Sequence, residues 1–115
     1  MHEASIACSL LDLAEQYCVK NNYHTINSLT VRIGKLSGVM PDALIFAFDV
    51  VKNDSIAEGA HLIVEQVNPS GMCNDCKKDF TFDAPYIFEC PLCGSTNFVI
   101  TQGKEMELRE MEVDI

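Results

Sequence analysis

Four cysteines constrain this chain more than any other feature. They stand as Cys73-Asn-Asp-Cys76, thirteen residues further on as Cys90-Pro-Leu-Cys93, and Gly94 follows. Zinc takes four soft or borderline donors at tetrahedral corners, at about 2.3 Å for each thiolate. A two-residue gap lets one tight turn present two sulfurs to one ion, and two such turns fill all four corners. Gly94 lets the backbone fold back beneath the second pair. Phe80, Phe82, Tyr86, Ile87, Phe88 and Phe98 are expected to form an apolar layer around the turns. Four protein ligands leave no open position, so a zinc here is structural, not catalytic. Two disulfides, a redox dithiol and an iron–sulfur cluster are the alternatives. The paired spacing, and the absence of a signal peptide at the amino terminus, count against the first two. Lys77 and Lys78 either soften the charge of a four-thiolate site or are an ordinary solvated pair.

The rest of the chain reads as a small α+β protein. It has 115 residues, 48% apolar and 22% charged, which is the composition of a folded domain. A domain this short buries a modest share of its surface, and a metal staple helps it. Apolar residues at Ile6, Ala7, Leu10, Leu11, Leu13, Ala14, Tyr17 and Cys18 recur at three- and four-residue intervals, so a helix is expected over 4–21, stopping at Asn21-Asn22. Leu29, Val31 and Ile33 alternate with Thr30 and Arg32, the period of a strand. After the break at Gly34 to Gly38, Pro41 suits the first position of a second helix, whose buried face is Ala43, Leu44, Ala47, Phe48 and Val51, with Phe46 and Val50 at the flank. A second strand is expected from His61 to Val67 and a third from Glu105 to Val113. In the third, Met106 and Leu108 fall on one face and Met111 and Val113 resume out of phase, the mark of a β-bulge near Arg109-Glu110.

Turn-like breaks at Asn68-Pro69-Ser70-Gly71 and Thr101-Gln102-Gly103 bracket all four clustered cysteines. The expected architecture is therefore two helices on a three-stranded mixed or antiparallel sheet, with an inserted zinc-ribbon-like β module. The α+β core covers 1–69 and is completed by 103–115; the zinc-binding insert covers 70–102.

The formal net charge of −9 excludes several roles. An acidic chain repels phosphate backbones and offers no basic strip to an anionic membrane. No run approaches the roughly 18–20 apolar residues that span a bilayer. Met1-His2-Glu3-Ala4 has none of the features of a signal peptide, so a cytoplasmic location is expected. No Ser/His/Asp set, phosphate loop or open metal site is present, and the chain is not expected to be an enzyme.

His2, directly behind Met1, offers a second metal site. The Met1 amine, deprotonated backbone amides and the His2 imidazole can close fused chelate rings on one ion. Such a planar, nitrogen-rich set suits Ni²⁺ or Cu²⁺ better than tetrahedral Zn²⁺. Glu3 would add an oxygen or orient the imidazole. Read alone, a histidine at this position is better explained as an ordinary surface residue.

Met1-His2-Glu3, the segment from Val31 to Val39, Phe46-Ala47-Phe48, the two cysteine pairs and the run from Thr101 to Met106 together resemble the HypA family of hydrogenase maturation nickel metallochaperones. The resemblance runs in order from residue 1 to about residue 113. It implies that Met1, His2 and Glu3 bind Ni²⁺ as cargo, with His2 indispensable, and that Cys73, Cys76, Cys90 and Cys93 hold a structural Zn²⁺. The implied partners are a nickel-handling GTPase and the [NiFe]-hydrogenase large subunit. In some bacteria the family also serves urease, with a urease accessory protein as partner. One departure matters: no histidine lies between Cys76 and Cys90. That speaks against signalling between the two metals through a flanking histidine. Asp42 is a further oxygen donor for nickel or simply supports the first helical turn.

Cys8 and Cys18 are expected to be buried apolar positions, His24 and His61 rim or solvated residues, and Met72, Met106 and Met111 core fillers. Glu105, Glu107, Glu110 and Glu112 read as a solvated strand face or an acidic surface for a partner. The competing functions are a zinc-ribbon nucleic-acid-binding module, opposed by the charge, and a thiol redox protein.

Overall fold

The structure, a computed structural model, describes residues 3–114. The first helix, α1 (Glu3–Asn21), buries Ile6, Ala7, Leu10, Leu11, Ala14 and Cys18. The stripe is narrower than the sequence suggests: Leu13 and Tyr17 are each about half exposed, and Cys8 is exposed, not buried. A helix resting one side on its neighbours covers only a stripe somewhat over 100° wide, and these three lie at or beyond its margin. The helix stops where Asn22 takes a left-handed φ of 60°. The Asn22 amide donates to Val19 O, and the Tyr23 amide to Cys18 O at 2.9 Å, so the last carbonyls are satisfied in a Schellman turn.

Strand β1 (Ile26–Gly34) follows, then a short 3₁₀ turn (Lys35–Ser37) and α2 (Pro41–Val51), whose Pro41 opens the helix as expected. Leu44 and Phe48 are fully buried on α2, while Phe46 and Val50 are exposed. The two helices pack against each other. Next come β2 (His61–Val67), β3 (Ser70–Cys73), β4 (Asp79–Thr81), β5 (Phe98–Gln102) and β6 (Met106–Val113). Ser70 and Gly71 thus begin a strand, and Thr101 and Gln102 end one. The breaks that remain are Asn68-Pro69 and Gly103 to Glu105.

Two three-stranded sheets form, in the orders β2-β1-β6 and β4-β3-β5. In the first, β1 is central, and Leu29, Val31 and Ile33 on one face and Ile26 and Thr30 on the other are all buried. Ser28 donates to Glu112 and Arg32 pairs with Glu107 at 3.3 Å, which makes β1 and β6 antiparallel. Ser28 and Arg32 share a face of β1, yet their carboxylate partners are an odd number of residues apart. Two backbone bonds, Asp114 N–H to Thr25 O and Gly34 N–H to Glu105 O, bracket the pair and lie nine residues apart on either strand, which leaves no extra residue in β6 for the expected bulge. In the second sheet β3 pairs antiparallel with both neighbours, with Gly71 opposite Phe80 and Cys73 opposite Phe98.

The chain separates into two compact units, one of 1–32, 39–65 and 107–115, the other of 33–38 and 66–106. Segment 33–38 joins the cysteine-bearing unit through backbone bonds: Gly34 N–H donates to Glu105 O and Leu36 N–H to Gly103 O, both at 2.8 Å. A Cβ on Gly34 would lie 2.0 Å from the Gly103 oxygen, so only glycine fits there. Lys35 adds an ion pair with Asp83 at 2.6 Å. No described helix is long and apolar enough to cross a membrane.

Candidate metal centre

Each cysteine pair sits in the same backbone turn. In the first, the Lys77 amide donates to Cys73 O and the Cys73 amide to Lys78 O, both at 3.0 Å. In the second, the Gly94 amide donates to Cys90 O and the Cys90 amide to Ser95 O, both at 2.8 Å. Lys77 and Gly94, equivalent in the two turns, both take left-handed φ angles, 62° and 78°. Amides inside the turns point at the leading sulfurs: Cys76 N–H to Cys73 Sγ at 3.5 Å and Leu92 N–H to Cys90 Sγ at 3.4 Å. Such bonds stabilise thiolate over thiol. The turns are joined by Asn74, whose amide and side chain both donate to Asn97, and by the Ser95 hydroxyl, which donates to Asp75.

The turns bring the four sulfurs within 4.8 Å of one another. Cys73 and Cys93 are 3.5 Å apart and Cys76 and Cys90 3.8 Å. Tetrahedral thiolates at about 2.3 Å from one zinc stand about 3.8 Å apart, so the set fits the ion. These separations are far beyond a disulfide bond of about 2.05 Å, and all six cysteines are free. Cys73 and Cys90 are buried, Cys76 is half-buried and Cys93 is open to solvent.

The electrostatics of the bare cluster point the same way. The amide of Cys76 is the largest influence on Cys73 and draws its thiol down to about 7. At Cys93 the Ser95 amide also pulls down, but the Cys73 sulfur, burial, and the Cys90 and Cys76 sulfurs together push it up to about 12. Burial likewise raises Cys76. One thiolate forms easily and discourages the next, until a divalent cation neutralises them together.

Around the sulfurs, Phe80 is buried and meets Phe82 and Phe98 edge-on, at 5.9 and 5.6 Å between ring centres, with Ile87 packed alongside. Tyr86 and Phe88 do not join this layer, contrary to the expectation. They are 55% and 75% exposed and stack on each other at 4.8 Å. They lie on the loop between β4 and the second turn, which turns them outward. Lys77 and Lys78 are exposed, and the backbone amide of Lys78 bonds to the Cys76 sulfur and opposes the upward effect of burial on that thiol. His24 and His61 are exposed; Met72 and Met106 are exposed too and do not fill a core.

Of the amino-terminal candidates, Met1 and His2 lie outside the described residues. Glu3 is half-buried, and its carboxylate accepts the Met40 amide at 3.4 Å, at the entry to α2. Asp42, exposed, is in the first turn of that helix. The Glu3–Met40 contact, which joins residues far apart in sequence, carries no signal in the sequence.

Fold and site define a small protein with a closed, metal-binding four-cysteine cluster on a zinc-ribbon-like module. The family described as "Hydrogenase/urease nickel incorporation, metallochaperone, hypA" matches residues 1–113, and the chain belongs to the HypA family of nickel metallochaperones for hydrogenase maturation. It is 42% identical over 113 residues to the hydrogenase maturation factor HypA of Picosynechococcus sp., covering 98% of this chain and 99% of that one. It is 40% identical over 115 residues to that of Aquifex aeolicus, covering 100% and 99%. The solution structure of the Ni metallochaperone HypA from Helicobacter pylori is similar too, with 33% identity, 98% and 97% of the chains covered and a TM-score of 0.70.

Proposed function

We propose that the chain carries Ni²⁺ at its amino terminus and delivers it to the [NiFe]-hydrogenase large subunit in the cytoplasm, together with a nickel-handling GTPase. Urease, through a urease accessory protein, is a second destination for the same cargo. The Met1 amine, the backbone amides and the His2 imidazole hold the ion, with Glu3 beside them. Cys73, Cys76, Cys90 and Cys93 hold a structural Zn²⁺ that folds the insert 70–102, and 1–69 with 103–115 form the nickel-binding part. The observation that carries this reading is a family match that begins at residue 1 and so takes in the Met-His-Glu segment. The donor types agree with it: nitrogens suit nickel and four thiolates suit zinc.

Release is part of the chemistry. The nitrogens must lose protons to bind, so nickel affinity falls as pH drops through the amine and imidazole values, roughly 8 and 6.5. The test is a nickel titration of the zinc-loaded wild type against His2→Ala, followed by absorption and calorimetry. His2→Ala is expected to lose the nickel site while retaining zinc. An alanine variant that captures nickel with wild-type strength, or a wild type with equal affinity at pH 8 and pH 6, would refute the amino-terminal chelate.

A further inference from the structure

Tyr86 and Phe88, stacked on each other in solvent, share a cavity with Phe82, Glu89 and Pro91. Its volume is about 210 Å³, and all five residues belong to the cysteine-bearing unit. Aromatic rings exposed side by side mark a contact surface more often than a lone apolar residue does. The walls of this cavity are anchored. The Phe82 amide donates to Pro69 O at 2.8 Å, and the Phe82 ring meets Phe80 edge-on. Glu89 and Pro91 flank Cys90, whose amide donates to Ser95 O and whose carbonyl accepts the Gly94 amide, both at 2.8 Å. A cavity fixed in this way loses little freedom when it is filled.

The lining is selective. Three rings offer negative faces, and one carboxylate stands among them. Glu89 is exposed, and among the described residues no ion pair or hydrogen bond engages its side chain. Asp83, on the same loop, is by contrast taken by Lys35 at 2.6 Å. An apolar side chain would cover the rings and leave the carboxylate unanswered. An ammonium is a compact, strongly hydrated charge with no plane to lay on a ring. A guanidinium answers both features at once. Its plane stacks on an aromatic face, and its fork of N–H donors meets a carboxylate through two parallel bonds. The net charge of −9 draws a cation toward the chain.

We propose that the cavity lined by Phe82, Tyr86, Phe88 and Glu89 binds an arginine side chain of a partner protein. The rings take the face of the guanidinium and Glu89 takes its N–H donors. No nickel is involved, so this site stands or falls apart from the amino-terminal chelate.

The full-length, zinc-loaded protein, labelled with ¹³C in its aromatic rings, can be titrated by NMR with a capped glycine peptide carrying one central arginine. The comparison peptides carry citrulline, which keeps the shape and removes the charge, or lysine, or leucine. The arginine peptide is expected to bind about tenfold or more tightly than the citrulline peptide, and more tightly than the lysine and leucine peptides. It should shift the ring signals of Tyr86 and Phe88, move its own Hδ protons upfield, and bind more weakly as salt rises. Glu89→Gln should weaken arginine binding about tenfold, and Phe88→Leu should remove most of the upfield shift, each with an unchanged melting curve and full zinc content. Failure of the arginine peptide to bind overturns the proposal. So does equal binding of the citrulline, lysine or leucine peptide, or wild-type arginine binding by both variants. Ring shifts that grow with protein concentration in the absence of peptide would overturn it too, because a second copy would then fill the cavity.

Discussion

Lys77 and Gly94 hold the same place in the two cysteine turns, and only one of them is suited to it. A left-handed φ costs an L-residue roughly 1–2 kcal/mol, and glycine almost nothing. Lys77→Gly is therefore expected to raise the stability of the metal-loaded protein by about 0.5–1 kcal/mol, read from the midpoint of urea unfolding. Gly94→Ala should lower it by roughly 1 kcal/mol. The nearest atom to an added Cβ, Glu89 Oε2, is 3.7 Å away, so that loss would be conformational and not steric. Asp83 gives a residue-scale prediction in pH. The hydrogen bond from Lys35, then its charge, holds the Asp83 carboxyl below the usual carboxylate range. The folded state thus favours the carboxylate. Its contribution is present above the ordinary value of about 3.9 and is lost as pH falls through the lower, folded value. Because Asp83 is exposed, the effect belongs in its titration curve more than in global stability. Carboxyl ¹³C shifts should show a depressed midpoint that returns to the ordinary range in Lys35→Met; an unchanged midpoint would mean that the pair does not form in solution.

Elements were legible where a period ran long enough. The α1 stripe, the alternation in β1, Pro41 at the head of α2, and the limits of β2 all follow from spacing and turn chemistry. Burial within an element was harder to read. Phe46 and Phe48 differ by two positions on one helix, yet Phe48 is fully buried and Phe46 is 72% exposed. Phe48→Ala is expected to cost about 3–5 kcal/mol, and Phe46→Ala to stay within about 0.5 kcal/mol of wild type, both by urea denaturation. Similar losses at the two positions would mean that α2 is rotated from the orientation described. The same distinction divides Phe80 from Tyr86 and Phe88: all are aromatic and close in sequence, but only Phe80 meets partners around its ring.

For the molecule as a whole, the proposed zinc would matter most around the cysteine turns, where the apolar core is small. Its buried hydrophobic cluster consists of Cys73, Cys90 and Phe80, with Cys76, Phe82, Ile87 and Phe98 half-buried against it. A core that small sets little against the chain entropy of ordering three short strands, and on the proposed reading metal binding would double as folding energy. Removing zinc with a strong chelator, or changing Cys73→Ser, is expected to abolish amide protection across Ser70–Gln102 and leave that of α1 and α2 in place. Hydrogen exchange read by NMR distinguishes the outcomes, and protection retained over β3 and β5 without metal would contradict a zinc-dependent fold. Gly34→Ala should disturb the same unit, since the added methyl meets the Gly103 carbonyl.

The sequence by itself determined the cysteine turns, the two helices and the alternation of β1, because each rests on contacts between near neighbours or on a local period. Tertiary structure alone decided which of two similar side chains is covered, that segment 33–38 joins the cysteine-bearing unit, that Glu3 meets the Met40 amide, and that β1 is the central strand of its sheet among the described residues. Those outcomes depend on residues far apart in the chain meeting in space, and nothing in local spacing encodes such a meeting.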